Sequence, residues 1–237
     1  MSIAIISDIH SNLEALQTAI RYIDKHKIDS VYCLGDSVGY CAQPNECLQI
    51  IRDRCKVVLL GNHDQTAADL NNIDYFNDYA RTAAIWTNRE LTDESKTYLK
   101  GLPASYSEGN LRLAHSAPRE PLRWHYILSL QAAQAEMKGY AEQVCFIGHS
   151  HVPVVFGMRE EYGVTEMRLQ PDIRYIVNVG SIGQPRDGDP RLCFVIYDEE
   201  RAELRYIRLE YDVQTTRQKI LGQNLPAYLA ERLLNGY

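Results

Sequence analysis

No apolar stretch of the sequence approaches the roughly 20 residues needed to cross a bilayer. Positive charge is not in surplus either: 25 Lys and Arg stand against 31 Asp and Glu, for a formal net charge of −6. That balance excludes the broad basic face by which proteins grip duplex nucleic acid or anionic membranes. The six cysteines (Cys33, Cys41, Cys47, Cys55, Cys145 and Cys193) contain no CxxC pair, and several sit inside apolar runs. They read as buried, reduced thiols rather than a zinc knot or a disulfide framework. The opening "MSIAIISDIHSN" has no basic n-region and only a short apolar run, which predicts a core strand rather than a signal peptide, while the reduced thiols lead to the expectation of a cytoplasmic protein. Repeats, low-complexity tracts and linkers are absent. A length of 237 residues with 45% hydrophobic content suffices for one domain spanning 1–237.

What is present is an alternation of short β-rich runs with amphipathic segments. "IAII" (3–6), "VYCL" (31–34), "KVVLL" (56–60), "LRLA" (111–114) and "VCFI" (144–147) read as strands. "SNLEALQTAIRYIDK" reads as a helix with Leu13, Leu16, Ile20 and Ile23 on one face, and Ser11 and Glu14 have capping-box spacing at its start. Further helices are expected over 44–54, 75–99 and 129–141. The C-terminal stretch is expected to be helical with a break near Pro226. From "VPVVFGM" onward, strand-like runs follow one another with only turns between, as antiparallel strands do. The expectation is an α/β fold with a mixed sheet arrangement.

The polar residues after the strands carry the functional signal. Asp8 and His10 follow the first strand, Asp36 the second, Asn62 and His63 the third, His115 "LRLA", and His149 and His151 "VCFIG". Ligand sites in α/β sheets form at the carboxyl ends of strands, so five segments direct side chains to one edge. Of the seven histidines, only His26 and His125 fall outside the set. Carboxylates, imidazoles and an amide oxygen without thiolate suit Mn²⁺, Fe or Zn²⁺. Seven ligand-type residues exceed what one ion uses, whereas two ions sharing Asp36 would fit.

Asp-x-His, Gly-Asp, Gly-Asn-His-Asp, a lone His and Gly-His-x-His, in that order, resemble the calcineurin-like metallophosphoesterase superfamily. "VGSIGQPRDGD" (179–189) and "LPAYLAERLLNG" resemble its small bacterial and archaeal stand-alone branch. The resemblance implies two mixed β-sheets packed as a sandwich flanked by helices, with two divalent transition-metal ions at the strand ends. It implies that Asp8, His10 and His151 hold one ion, that Asn62, His115 and His149 hold the other, and that Asp36 bridges them. The implied activity is hydrolysis of small or exposed phosphoesters by a hydroxide generated at neutral pH, and the limited positive charge of the motif loops puts diesters marginally ahead of monoesters. His63 would serve the leaving oxygen. Asp64 either holds the His63 tautomer or caps the segment that follows.

Protein phosphatases and dinucleoside tetraphosphatases share these motifs but carry an arginine four residues after the bridging aspartate. Here Tyr40 occupies that place and Gly39 precedes it, so the bidentate phosphate fork is missing there. Arg186 in "GQPRDGDPR" is the candidate substitute, unless it pairs with Asp187 or Asp189. Arg119 and Arg123 are lesser candidates, and Trp124 and His125 line either a pocket or a solvated loop. A scaffold of this fold, the retromer subunit, lacks the histidine matching His63. The repair exonucleases of the superfamily are a third comparison, against which the acidic chain argues.

Overall fold

The computed structural model describes all 237 residues. Its parallel strands are apolar almost throughout, as strands covered on both faces must be. β1 (Ser2–Ile6), β2 (Ser30–Cys33) and β3 (Val57–Val58) run parallel in one six-stranded sheet. β11 (Leu192–Asp198), β12 (Glu203–Leu209) and β9 (Glu166–Arg168) continue that sheet as antiparallel neighbours. The second sheet has the order β4 (Ser105–Glu108), β5 (Leu111–Ala114), β6 (Val144–Ile147), β10 (Tyr175–Asn178), β7 (Val154–Phe156) and β8 (Glu160–Tyr162). Within it, β5, β6 and β10 are mutually parallel.

Alternation along each strand separates the layers. Ile3, Ile5 and Tyr32 of the first sheet meet Leu113, Val144, Phe146 and Val177 of the second in the core between the sheets. The intervening residues Ala4, Ile6, Val31 and Cys33 pack outward on α1 (Leu13–Lys25) and α2 (Pro44–Arg54). On the far side, Cys145, Ile147 and Ile176 pack on α6 (Leu130–Met137). The architecture is therefore helix, sheet, sheet, helix. Truncating the fully buried Phe146 to Ala should cost about 3–5 kcal/mol.

Local details depart from the sequence expectations. α1 is capped by Asn12, whose side chain accepts from the Ala15 amide at 3.2 Å. Ser11 sits at φ 58°, outside N-cap geometry, and its hydroxyl accepts from the Gly39 amide instead. Glu14 pairs with Lys219. The expected helix over 75–99 divides into α4 (Asp78–Glu90) and α5 (Asp93–Lys100), because Leu91 is extended and Thr92 starts a new helix by capping Ser95. β3 stops short of the predicted 56–60, since the Leu60 amide bonds to Pro103 outside the sheet. The run after Val154 is not one antiparallel series: β10 and β11 lie in different sheets. α3 (Asn62–Asp69) was not anticipated, whereas α7 (Val213–Gly222) and α8 (Ala227–Glu231) flank the expected break at Pro226. No helix is long and apolar enough to cross a membrane.

Candidate metal centre

Three parallel strands end side by side in each sheet, and the loops beyond them remain tied together. The Asp8 amide donates to the Gly35 carbonyl at 3.0 Å and the His10 amide to the Asp36 carbonyl at 2.9 Å. From the second sheet, the Gly148 amide donates to the His115 carbonyl at 2.9 Å. Ser181 and Gly183, after β10, both donate to the Asp8 carbonyl, which joins the two sheets at the site. Two motif glycines permit this crowding: a Cβ at Gly61 would overlap the Asp36 carboxylate, and one at Gly148 the Asp8 carboxylate. Asp8, His10, Asp36, His149 and His151 all take positive φ, between 48° and 67°, a concentration of rare backbone typical of functional sites.

The imidazoles are aimed by backbone carbonyls. Nδ1 lies 3.2 Å from the Val38 oxygen in His10, 3.2 Å from the Leu34 oxygen in His115 and 2.6 Å from the Gln184 oxygen in His151. A carbonyl only accepts, so these Nδ1 atoms carry the protons and Nε2 faces inward. His149 is reversed, donating from Nε2 to the Trp124 carbonyl at 2.9 Å and leaving Nδ1 for a ligand. Such outer contacts set which nitrogen can bind metal.

Asp8, His10, Asp36 and His151 form one cluster and Asp36, His115 and His149 a second, with ligand atoms in each within 4.8 Å of one another. Asp36 belongs to both. Nε2 of His10 and Nε2 of His151 face each other at 3.1 Å, an approach of two lone pairs that calls for positive charge between them. Asn62 Oδ1 is buried without a hydrogen-bond partner, a costly condition in a dry interior, and the nearest acceptor to His115 Nε2 is the Asp36 carboxylate at 3.3 Å. Asp8 and Asp36 are fully buried with no lysine or arginine paired to them, so a cation has to balance them. These residues fit a dinuclear site.

The electrostatics follow. Burial raises the pKa of Asp8 and Asp36, but the surrounding imidazoles outweigh it and hold both below the ordinary carboxylate range. Burial pushes His10 and His151 down and His149 to about 3. It opposes the charge on His115 as well, yet Asp36, 3.3 Å away, and Asp8 raise that group to about 9.

His63 lies in the first turn of α3, its ring 4.4 Å from Tyr40 and 4.6 Å from Phe76. Its amide donates to Asp36 Oδ1 at 2.8 Å, while its own Nδ1 has no partner. Burial, with Arg186 adding to it, lowers its pKa to about 4. Beyond it opens a cleft of about 520 Å³ that also reaches His149.

A model of the calcineurin-like phosphoesterase superfamily domain matches residues 1–202. The chain belongs to the calcineurin-like phosphoesterase superfamily. An uncharacterized protein of Methanocaldococcus jannaschii is 37% identical over 99% of this chain and 98% of its own length. The crystal structure of a metallophosphoesterase from Sphaerobacter thermophilus is 33% identical, with a TM-score of 0.90 over 100% of this chain and 99% of that one. A hypothetical protein from Pyrococcus horikoshii OT3 shares the fold at 20% identity, with a TM-score of 0.83 over 100% and 98% of the two chains.

In this member of the calcineurin-like phosphoesterase superfamily the carboxylates and imidazoles expected from the motifs converge, and Asn62 starts the helix that carries His63. Asp64 makes no hydrogen bond to the His63 ring. Its oxygens accept from the amides of Gly61 and Val38, both at 3.1 Å, which anchors the start of α3 to the Asp36 loop. Burial and the nearby Asp36 raise its pKa to about 7. Arg186 pairs with neither Asp187 nor Asp189, which hold Arg208 and Arg191. Its guanidinium bonds Gln184 Oε1 and approaches the Tyr40 hydroxyl. Trp124, His125 and Arg123 line the cleft, whereas the Arg119 side chain packs against Gly139. Tyr40, Phe76 and Tyr126 escaped sequence reasoning as cleft residues; the aromatic-rich "RWHY" was the one local sign of that wall.

Proposed function

We propose that the protein is a dinuclear metal-dependent phosphoesterase acting on small or exposed phosphoesters, with diesters preferred over monoesters. The observation that carries this reading is the sharing of Asp36 between two buried clusters, with inward-facing ligand atoms. Asp8, His10 and His151 would hold one ion, Asn62, His115 and His149 the other, and Asp36 both, with Mn²⁺, Fe or Zn²⁺ matching the donors. When bound, two such ions supply a nucleophilic water at neutral pH and charge stabilisation on phosphoryl oxygens.

The protein's own groups supply the rest. His63 stands where the centre opens into the cleft, so its ring serves the leaving oxygen. It is neutral in the free protein at pH 7, and an anionic phosphoryl group beside it would draw its pKa upward. Arg186 offers one guanidinium to a non-bridging oxygen. One guanidinium without a carboxylate partner suits the monoanionic diester better than the dianionic monoester.

The test is turnover of bis(p-nitrophenyl) phosphate, p-nitrophenyl phosphate and a phosphoserine peptide by protein loaded with Mn²⁺ or Zn²⁺. The diester should turn over fastest, and activity should vanish with chelator and in Asp36→Asn. Failure to hydrolyse any of them while holding two ions would sink the reading in favour of a partner-binding scaffold.

A further inference from the structure

The cleft has a chemical character that the phosphoryl site alone does not require. Its inner end is formed by His63 and His149, and an aromatic wall rises from each. Phe76 lies against His63 with centroids 4.6 Å apart. Tyr126 stacks on His149 at 4.0 Å and 15°, and the next wall residue, Trp124, holds that same histidine through its carbonyl. Tyr75, 88% exposed, extends the first wall outward.

The lining contains no carboxylate and no lysine, and its one guanidinium, Arg123, is mostly exposed. The remaining polar groups are neutral amides, hydroxyls and imidazoles, among them Asn72, Asn77 and Thr66. A polyol would leave the aromatic faces without apolar contact, and a charged headgroup would find no counter-ion deep inside beyond Arg186, which reaches the Tyr40 hydroxyl at the inner end and is assigned to the phosphoryl group. A flat heteroaromatic ring fits both features, with apolar faces for the walls and an edge that exchanges hydrogen bonds with neutral groups. The volume of about 520 Å³ falls within the range of small-ligand pockets.

We propose that the leaving group of the substrate carries a heteroaromatic base of nucleoside type, received between Phe76 and the Trp124–Tyr126 wall. This rests on the phosphoesterase reading, because His63 places the leaving oxygen at the cleft's inner end. In the reaction, water oxygen bonds to phosphorus, the bond from phosphorus to the nucleoside oxygen breaks, and that oxygen takes a proton at His63. The products are the nucleoside and the phosphate that keeps the second ester group.

Two measurements test it. In the first, metal-loaded protein is given adenosine 5′-(methyl phosphate) and its base-free ribose counterpart. The adenosyl ester should be favoured by about 10-fold or more in kcat/KM, and Phe76→Leu and Tyr126→Leu should each shrink that ratio. Equal turnover of the two esters overturns the base pocket while the phosphoesterase reading stands; turnover of neither removes both. The second needs no metal: in a Trp86→Phe background, adenosine 5′-monophosphate should quench Trp124 fluorescence saturably, and ribose 5-phosphate should not. Identical responses to the two ligands would overturn the proposal.

Discussion

Nη2 of Arg186 stands 3.4 Å from the Tyr40 hydroxyl, and its guanidinium carbon lies 5.8 Å from the centre of that ring. Related phosphatases place an arginine at the position of Tyr40; here a guanidinium arrives in the same neighbourhood from the loop after β10. That loop is seated on the site, since the Arg186 amide donates to the His151 carbonyl at 3.4 Å.

Arg186→Ala should therefore raise KM and weaken inhibition by inorganic phosphate together, each by about 10-fold or more, as loss of a charged hydrogen bond of about 1.5–3 kcal/mol implies. Arg186→Lys should recover only part, lacking the planar fork. Metal content by elemental analysis should be unchanged. Wild-type kinetics in the alanine variant would return Arg186 to a purely structural role.

For His63→Asn, the loss should depend on the leaving group. An alkyl or ribose oxygen needs a proton and a nitrophenolate does not, so the variant should lose about 10²-fold or more on an alkyl diester and much less on a nitrophenyl one. Both ions should remain. Small, equal losses on the two esters would refute the leaving-group role.

Removing metal should loosen the whole fold, because the ligands come from both sheets. Each ion present at 100 times its dissociation constant contributes about 2.7 kcal/mol, which for a chain of this size is on the order of 5–10 °C in Tm per ion. Differential scanning calorimetry with and without chelator measures this, and Asp36→Asn should bind fewer ions and show a smaller shift. An unchanged Tm on chelation in wild type would contradict the cross-sheet site.

The metal-free protein should release a proton from His115 when it binds metal. With its pKa raised to about 9 by the carboxylates, this group is protonated at pH 7.5, and a metal has to displace that proton. Affinity should rise up to tenfold per pH unit between about 6.5 and 9, then level off. Competition with a chelator of known protonation behaviour at pH 6.5, 7.5 and 8.5 supplies the curve. A flat profile would show that His115 is already neutral.

The convergence of the candidate ligands was legible because each sits within a few residues of an apolar run, so strand ends and chemistry are written side by side. α3 was not, since "NHDQTAAD" has little apolar periodicity and the helix is held by Asp64 and by packing. The Ser11 cap misled because the residue had two available acceptor tasks, and Gly39, 28 positions away, won it. Proximity of Tyr40 to Arg186, and the placing of Phe76 and Tyr126 in one cleft, depend on loops from different sheets and helices. Such long-range meetings leave no spacing in the chain to read.

The left-handed backbone at Asp8, His10, Asp36, His149 and His151 restricts what could ever replace them. Apart from glycine, the residues that most readily enter that region are Asn, Asp and His, and these are also the oxygen and imidazole donors a hard-to-intermediate cation prefers. Backbone and cation thus draw on one short alphabet. Glu in place of Asp8 would keep the carboxylate and misfit the turn, while glycine would keep the turn and lose the donor. A designer grafting this centre onto another scaffold would have to transplant its dihedral angles along with its side chains.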